Sequence, residues 1–101
     1  MNYMRHGDVH LIEIDMIPGD AEATKDRVVE HGEVTGHAHR LVGDDATIFQ
    51  SKSGVRFLRV VKPTDLSHEE HQTRTIPPGI YEIRRTRETD HMEGVTRQVA
   101  D

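Results

Sequence analysis

No stretch of this chain keeps a helical spacing of apolar residues for longer than about two turns, and this lack of helical periodicity constrains the fold most. Short runs rich in Val, Ile and Thr appear instead, bounded by Gly, Pro and Asp, which is the pattern of β-strands joined by turns. The runs with strand character cover residues 8–15, 27–31, 37–42, 46–50, 55–61, 80–88 and 94–99. The chain is therefore predicted to be all-β.

The turns between these runs indicate how the strands are arranged. Gly43-Asp44-Asp45, Lys52-Ser53-Gly54 and Pro77-Pro78-Gly79 are typical turn sequences, and the three runs between residues 37 and 61 predict a β-meander. Segment 20–26 is polar and predicts a loop or one helical turn. The expected architecture is a small antiparallel barrel or sandwich of six to eight short strands.

Composition limits the class of protein. Val, Ile, Leu and Phe make up 23 of the 101 residues, which is enough for one small core, so residues 1–101 are expected to form a single domain. The chain has no apolar run of signal-peptide or membrane-spanning length, which predicts a soluble cytoplasmic protein without a membrane partner. A formal net charge of −5 argues against a general nucleic-acid binder.

Histidines carry the main functional signal. The chain has eight histidines and no cysteine, so a metal site must use nitrogen and oxygen ligands. His37 and His39 lie two residues apart in a predicted strand, where both side chains share one face. His68 and His71 can join them only if their segment forms a helical turn or an irregular loop. The predicted ligands of a divalent transition metal are His37, His39, His68 and His71, with Zn²⁺ favoured over Fe, Ni, Mn or Cu.

Carboxylates beside these histidines are the candidate catalytic groups. Glu33, Glu69 and Glu70 could orient a metal-bound water or an imidazole, which makes metal-dependent hydrolysis of a small-molecule or polymeric substrate a candidate activity. The structural alternative is that they are solvated loop carboxylates. The spacing of His68 and His71 is three residues, so the pair does not match the zinc-protease pattern H-E-x-x-H. A metal-free site with two histidines as general acid and base is a further alternative.

A basic stretch follows in the predicted strand 80–88. Arg84, Arg85 and Arg87, with Arg74 nearby, could bind phosphates or an acidic partner. The preferred interpretation is an exposed edge strand that these charges keep soluble. Pairing of such edges would give a homo-oligomer.

Parts of the sequence resemble the cupins, which are small metal-binding β-barrels. The resemblance includes Gly32 or Gly36, the pair His37-Ala-His39 and the later Pro77-Pro78-Gly79. Asp44 stands where the first cupin motif has a glutamate, and Glu82 stands where the second has a histidine. The resemblance covers about half of the chain, and it implies a metal inside or at the mouth of a barrel with His37 and His39 as ligands.

Almost the whole chain also resembles a group of small phage and bacterial proteins. The shared pattern runs from Arg-His-Gly-Asp-Val at residues 5–9, through the two histidine pairs, to Val-Ala-Asp at residues 99–101. This resemblance implies no particular activity. It supports the integrity of the domain and nothing about its chemistry. The second hypothesis for the function is a non-catalytic, phage-associated binding or assembly module with structural or pH-responsive histidines.

Overall fold

The alternation of side chains explains the strands. In the run 46–50, Ala46 and Ile48 are buried whereas Thr47 and Phe49 are only partly buried, so one face meets the core. The computed structural model describes residues 3–32 and 36–86, in which every regular element is a strand and no helix could span a membrane. The strands are β1 (Tyr3–His6), β2 (Val9–Glu13), β3 (Glu22–Ala23), β4 (Val28–His31), β5 (Ala38–Leu41), β6 (Ala46–Gln50), β7 (Arg56–Val60), β8 (Thr64–Ser67), β9 (Arg74–Ile76) and β10 (Gly79–Arg85).

Two antiparallel sheets make up the fold. The larger has six strands in the order β1-β2-β10-β7-β6-β3, and the smaller has four in the order β4-β5-β8-β9. The predicted all-β class with a sandwich of antiparallel strands is confirmed. The described residues contain ten strands rather than six to eight, because β1, β3 and β9 are short elements without a clear alternating pattern.

The order of strands differs from the prediction at one turn. β6 and β7 form the expected hairpin, and Gly54 at its turn has a φ of 92°, a conformation that favours glycine. The meander prediction is wrong for its first strand, because β5 pairs with β4 and β8 in the smaller sheet. The turn at Gly43-Asp44-Asp45 therefore crosses from one sheet to the other. Segment 20–26 contains β3, and the predicted strand 94–99 lies outside the described residues.

Both sheets contribute to one hydrophobic core. Its largest fully buried side chain is Tyr81 of β10, whose hydroxyl donates a hydrogen bond to the Pro77 carbonyl oxygen at 2.6 Å. The buried core residues are Val9, Leu11, Val29, Leu41, Ala46, Ile48, Leu58, Val60, Leu66, Ile76, Tyr81 and Ile83. Burial of each aliphatic side chain contributes about 1.5–3 kcal/mol, so this core is the main stabilising element of the described fold.

Two arginines connect the sheets. Arg56 of β7 donates to the carbonyl oxygens of Val29 at 2.5 Å and Val28 at 2.9 Å. The pairing of β4 with β5 shifts register between Val28 and Glu30, and such a bulge leaves backbone groups available for a side chain. Arg27 donates in the other direction, to the Ala46 carbonyl oxygen at 2.8 Å and to that of Gly43. These contacts hold β4 against the larger sheet, and β4 in turn pairs with the histidine-bearing strand β5.

Candidate metal centre

Five histidines collect where the two sheets meet. His6 ends β1 of the larger sheet, His39 lies in β5 of the smaller sheet with His37 just before it, and His68 and His71 lie in the loop after β8. The contacts recorded among these five rings have centroid separations from 4.4 Å, between His39 and His68, to 6.3 Å, between His6 and His68. We call these five residues the histidine cluster. The four predicted ligands are therefore brought together, and His6 joins them.

His6 and His39 form the buried pair of the cluster, with exposures of 3% and 0%. Their Nδ1 atoms are 2.8 Å apart. His6 Nε2 lies 2.8 Å from the Gln72 carbonyl oxygen, and His39 Nε2 lies 3.1 Å from Asp8 Oδ1. Since both partners are acceptors, each Nε2 carries the proton, and in neutral rings both Nδ1 atoms present lone pairs to each other.

Asp8 binds the nitrogen of His39 that faces away from His6. This carboxylate is fully buried in the turn between β1 and β2, and its other oxygen accepts a hydrogen bond from Arg85 Nε at 2.7 Å. Arg85 also lies near Glu30, with Nη1 3.9 Å from Oε1. A carboxylate that accepts from the distal nitrogen of a histidine fixes the tautomer of that ring, which is a common arrangement behind metal-ligating histidines.

The environment keeps this pair neutral. Burial is the largest cause that lowers the pKa of His39 to about 4, and the neighbouring His68 and His6 lower it further, whereas Asp8 opposes the shift. Burial also lowers the pKa of His6, partly offset by its hydrogen bond to the Gln72 carbonyl. Both rings are consequently uncharged at neutral pH, and their facing lone pairs form a position suited to a cation or to a shared proton.

Glu69 fixes the loop that carries the other two histidines. Its Oε1 accepts a hydrogen bond from the Ala38 backbone N–H at 2.9 Å, and its Oε2 accepts one from Arg40 Nη1 at 2.6 Å. The Arg40 contact is the largest cause that lowers the pKa of Glu69 to about 2, followed by the Ala38 contact. This clamp ties the loop to β5, so that His68 lies beside His39.

His68 and His71 differ in their hydrogen bonds. The backbone N–H of Glu70 donates to His68 Nδ1 at 3.0 Å, so the neutral His68 ring carries its proton on Nε2. The buried Nε2 of His71 has no hydrogen-bond partner within residues 3–32 and 36–86. Moving the His68 proton from Nε2 to Nδ1 would break the hydrogen bond from the Glu70 N–H, which contributes about 1 kcal/mol. Structural zinc binding yields about 10–16 kcal/mol, so the present tautomer does not prevent His68 from coordinating an ion.

A second group of ligand atoms lies at the edge of the cluster. One atom each from His37, His68 and Glu69 lies within 4.8 Å of the other two. His37 Nδ1 is also 3.6 Å from Glu70 Oε1, and the Glu70 side chain is 63% exposed. Of the predicted acid–base candidates, Glu69 is thus engaged with Arg40 and Ala38, Glu70 lies beside His37, and Glu33 lies outside the described residues.

Sequence reasoning missed His6 and Asp8 as parts of the site, and it singled out Arg85 only as a member of the basic stretch. Their contacts with the cluster or with each other span 33, 31 and 77 residues, which no local motif encodes. The sequence offered one signal for them, since a histidine and an aspartate two residues apart, His6 and Asp8, can both contribute to a metal site. Of the predicted basic stretch, Arg85 supports Asp8, Arg84 pairs with Glu82 at 2.7 Å, and Arg87 lies outside the described residues. The edge-strand interpretation of this stretch is wrong, because β10 pairs with β2 on one side and with β7 on the other.

Residues 5–86 match the model of a family described as a domain of unknown function, DUF8820. The match covers well over half of the chain, so the chain belongs to this family, and the whole histidine cluster lies within the matched residues. No curated protein and no solved structure matches the chain significantly. The cupin resemblance stays a prediction; at Glu82, the place of the second-motif histidine, the chain has a carboxylate paired with Arg84.

Proposed function

We propose that this protein binds a divalent transition-metal ion in its histidine cluster, with His6 and His39 as the two central ligands. The observation that carries the proposal is the approach of their Nδ1 lone pairs to 2.8 Å while both Nε2 atoms are held by acceptors. Neutral lone pairs at this distance repel each other unless a cation or proton lies between them.

The spacing fits an ion. With metal–nitrogen bonds of about 2.0–2.1 Å, two nitrogens 2.8 Å apart subtend an angle of roughly 85–90° at the metal. This angle suits five- or six-coordinate ions directly, and a tetrahedral zinc site would need the pair to open by about half an ångström. Imidazole ligands are compatible with Zn²⁺, Fe²⁺, Ni²⁺, Cu²⁺ and Mn²⁺, and Zn²⁺ remains our first choice.

His71 is the most suitable third ligand for this ion. Its Nε2 is buried and lacks a hydrogen-bond partner in the described part of the chain, a state that coordination would relieve. Its ring centroid lies 5.8 Å from that of His6 and 6.0 Å from that of His39. Rings that share one ion lie about 5 Å apart, so the loop would need to close by about 1 Å.

Hydrolysis is the activity that we propose for the loaded protein. An ion with three protein ligands can supply an activated water, with a pKa near 7 in zinc enzymes. The exposed Glu70 carboxylate beside His37 is the group in this chain best placed to accept a proton at the surface of the cluster. The substrate would therefore approach from the side of His37 and Glu70.

The second hypothesis, a non-catalytic module with pH-responsive histidines, rests on the same pair. A separation of 2.8 Å is also that of a hydrogen bond, so one proton shared by the two Nδ1 atoms could replace the ion. Both rings have lowered pKa values, which means that such a proton would be bound only in acidic solution. At neutral pH the metal is the better occupant.

Metal analysis tests the proposal. Protein prepared without a nickel column, stripped with a chelator and reloaded with Zn²⁺ or Co²⁺, should retain metal after gel filtration, and His39→Gln should lose most of it. His31→Gln is the matched control, because His31 is an exposed histidine of β4. Equal, negligible metal in all three proteins, with a shared His6–His39 proton detected by ¹⁵N NMR, would support the second hypothesis instead.

A further inference from the structure

We propose that the histidine cluster holds a second metal ion, bound by His37, His68 and Glu69 next to the first, so that the centre is binuclear. This inference rests on the proposed metal binding and adds a separate site to it. The carrying observation is that one ligand atom of each of these residues lies within 4.8 Å of the other two. We call this group the outer site, and we call His6 and His39 the inner site.

Ring geometry supports the outer site. His37 and His68 have centroids 5.4 Å apart and planes at 89°, a separation close to the roughly 5 Å expected for two imidazoles on one ion. The His68 ring also lies 4.4 Å from that of the inner ligand His39. Because His68 neighbours ligands of both sites, the two ions would be neighbours as well, as in the two-metal centres of many hydrolases.

The charge of the outer site also favours an ion. Glu69 brings an anionic carboxylate to this site, held in place by hydrogen bonds from the Ala38 backbone N–H and from Arg40. Glu70 adds a second carboxylate 3.6 Å from His37. The inner site, by contrast, offers nitrogen ligands, with its nearby carboxylate Asp8 bonded to Arg85. The outer site should accordingly favour harder ions such as Mn²⁺ more than the inner site does.

The contacts already made by these ligands do not block coordination. Glu69 uses one lone pair of each oxygen toward Ala38 and Arg40, and each carboxylate oxygen has a second lone pair for a metal. His68 must exchange its hydrogen bond from the Glu70 backbone for a new tautomer, and the exposed loop position of Glu70 allows water to satisfy that N–H.

Stoichiometry tests the inference. Full-length protein, stripped and saturated with Co²⁺ or Mn²⁺, should contain two ions per chain by plasma mass spectrometry, with magnetic coupling between them in the electron paramagnetic resonance spectrum. His37→Gln should remove the outer ion, which leaves one ion per chain and abolishes the coupling. His6→Gln should remove the inner ion, with the same effect on the metal content and the coupling. His31→Gln should keep both ions and the coupling.

The outcomes separate the two proposals. No bound metal in the wild-type protein would overturn the proposed function together with the second site. One ion in the wild type, unchanged by His37→Gln but lost in His6→Gln, would leave the proposed function intact and overturn the outer site. Two ions retained in His37→Gln would also overturn this ligand assignment. Circular dichroism and thermal melts of each variant establish that a lost ion reflects a lost ligand rather than a lost fold.

Discussion

The inner and outer sides of the histidine cluster are built in different ways. His6 and His39 lie on strands, are almost fully buried, and each has a distal nitrogen held by an acceptor. The outer residues His68, Glu69 and Glu70 lie on a loop, and the clamp from Glu69 to β5 fixes that loop from its exposed surface. The inner side is therefore rigid before any ligand binds, whereas the outer side can adjust.

In the proposed metal centre, this difference would give the two sides separate tasks. A preorganised pair of nitrogens would confer affinity for the proposed ion, because little ordering is required on binding. A loop held by exposed contacts has a low cost of local opening, and loops of this kind usually carry exchange of ligands and substrates. The comparison predicts large effects for substitutions behind the inner pair and small effects for substitutions in the clamp.

The largest effect is expected for Asp8→Ala. This change leaves the buried His39 Nε2–H without its acceptor and removes the Asp8 partner of Arg85, which costs about 3 kcal/mol in the free energy of unfolding. Asp8→Asn keeps an acceptor oxygen and should cost less, while lowering metal affinity about 10–100-fold. Urea denaturation and competitive chelator titrations measure the two quantities. A loss below 1 kcal/mol for Asp8→Ala would contradict the rigid inner side.

Acid should weaken the inner side in the absence of metal. The pKa of His39 is about 4 in the fold and near 6.5 when unfolded, so the unfolded chain binds more protons between these values. The free energy of unfolding should fall as the pH drops from 6.5 to 4, by at most about 3 kcal/mol from this residue. The pKa of His6 is also lowered in the fold, so this residue contributes to the same fall in the free energy of unfolding.

Urea titrations at pH 7.5, 6 and 5 in the presence of EDTA measure this dependence. His31→Gln should show the same fall, because His31 is exposed, whereas a His39→Gln variant that still folds should show a weaker one. A free energy of unfolding that stays constant from pH 7.5 to 5 would mean that His39 is not buried in its neutral form.

How far the sequence predicts this molecule depends on how local each feature is. The run 46–50 lies between the turn sequences at residues 43–45 and 52–54 and matches β6 to the residue, because turn residues mark the ends of a strand locally. Alternation does not reveal which sheet a strand joins, so the placement of β5 beside β8 could not be read from it. The two-residue strand β3 has too few positions to alternate.

The same distinction applies to the site. Two pairs of histidines can be recognised in the sequence by their short spacing, His37 with His39 and His68 with His71. The fold brings both pairs into one cluster. His6 comes from a strand of the other sheet, and its link to His39 depends on tertiary packing that no spacing encodes. Hydrogen-bond direction, which fixes the tautomers, likewise becomes visible only when the acceptors Gln72 and Asp8 are located.

The smallest effect is expected for Arg40→Ala on the outer side. Arg40 and Glu69 are both partly exposed, and exposed ion pairs contribute about 0.2–1 kcal/mol, so the free energy of unfolding should change within that range. The pKa of Glu69 should rise from about 2 but stay below its ordinary 4.5, because the Ala38 N–H still donates to the carboxylate. Carboxyl-carbon NMR titration measures this shift.

Arg84→Ala, which removes the similar exposed pair with Glu82, should leave the Glu69 titration unchanged. If Arg40→Ala destabilised the fold as much as Asp8→Ala, the outer loop would be as rigid as the inner strands, and the division of tasks between the two sides would not hold.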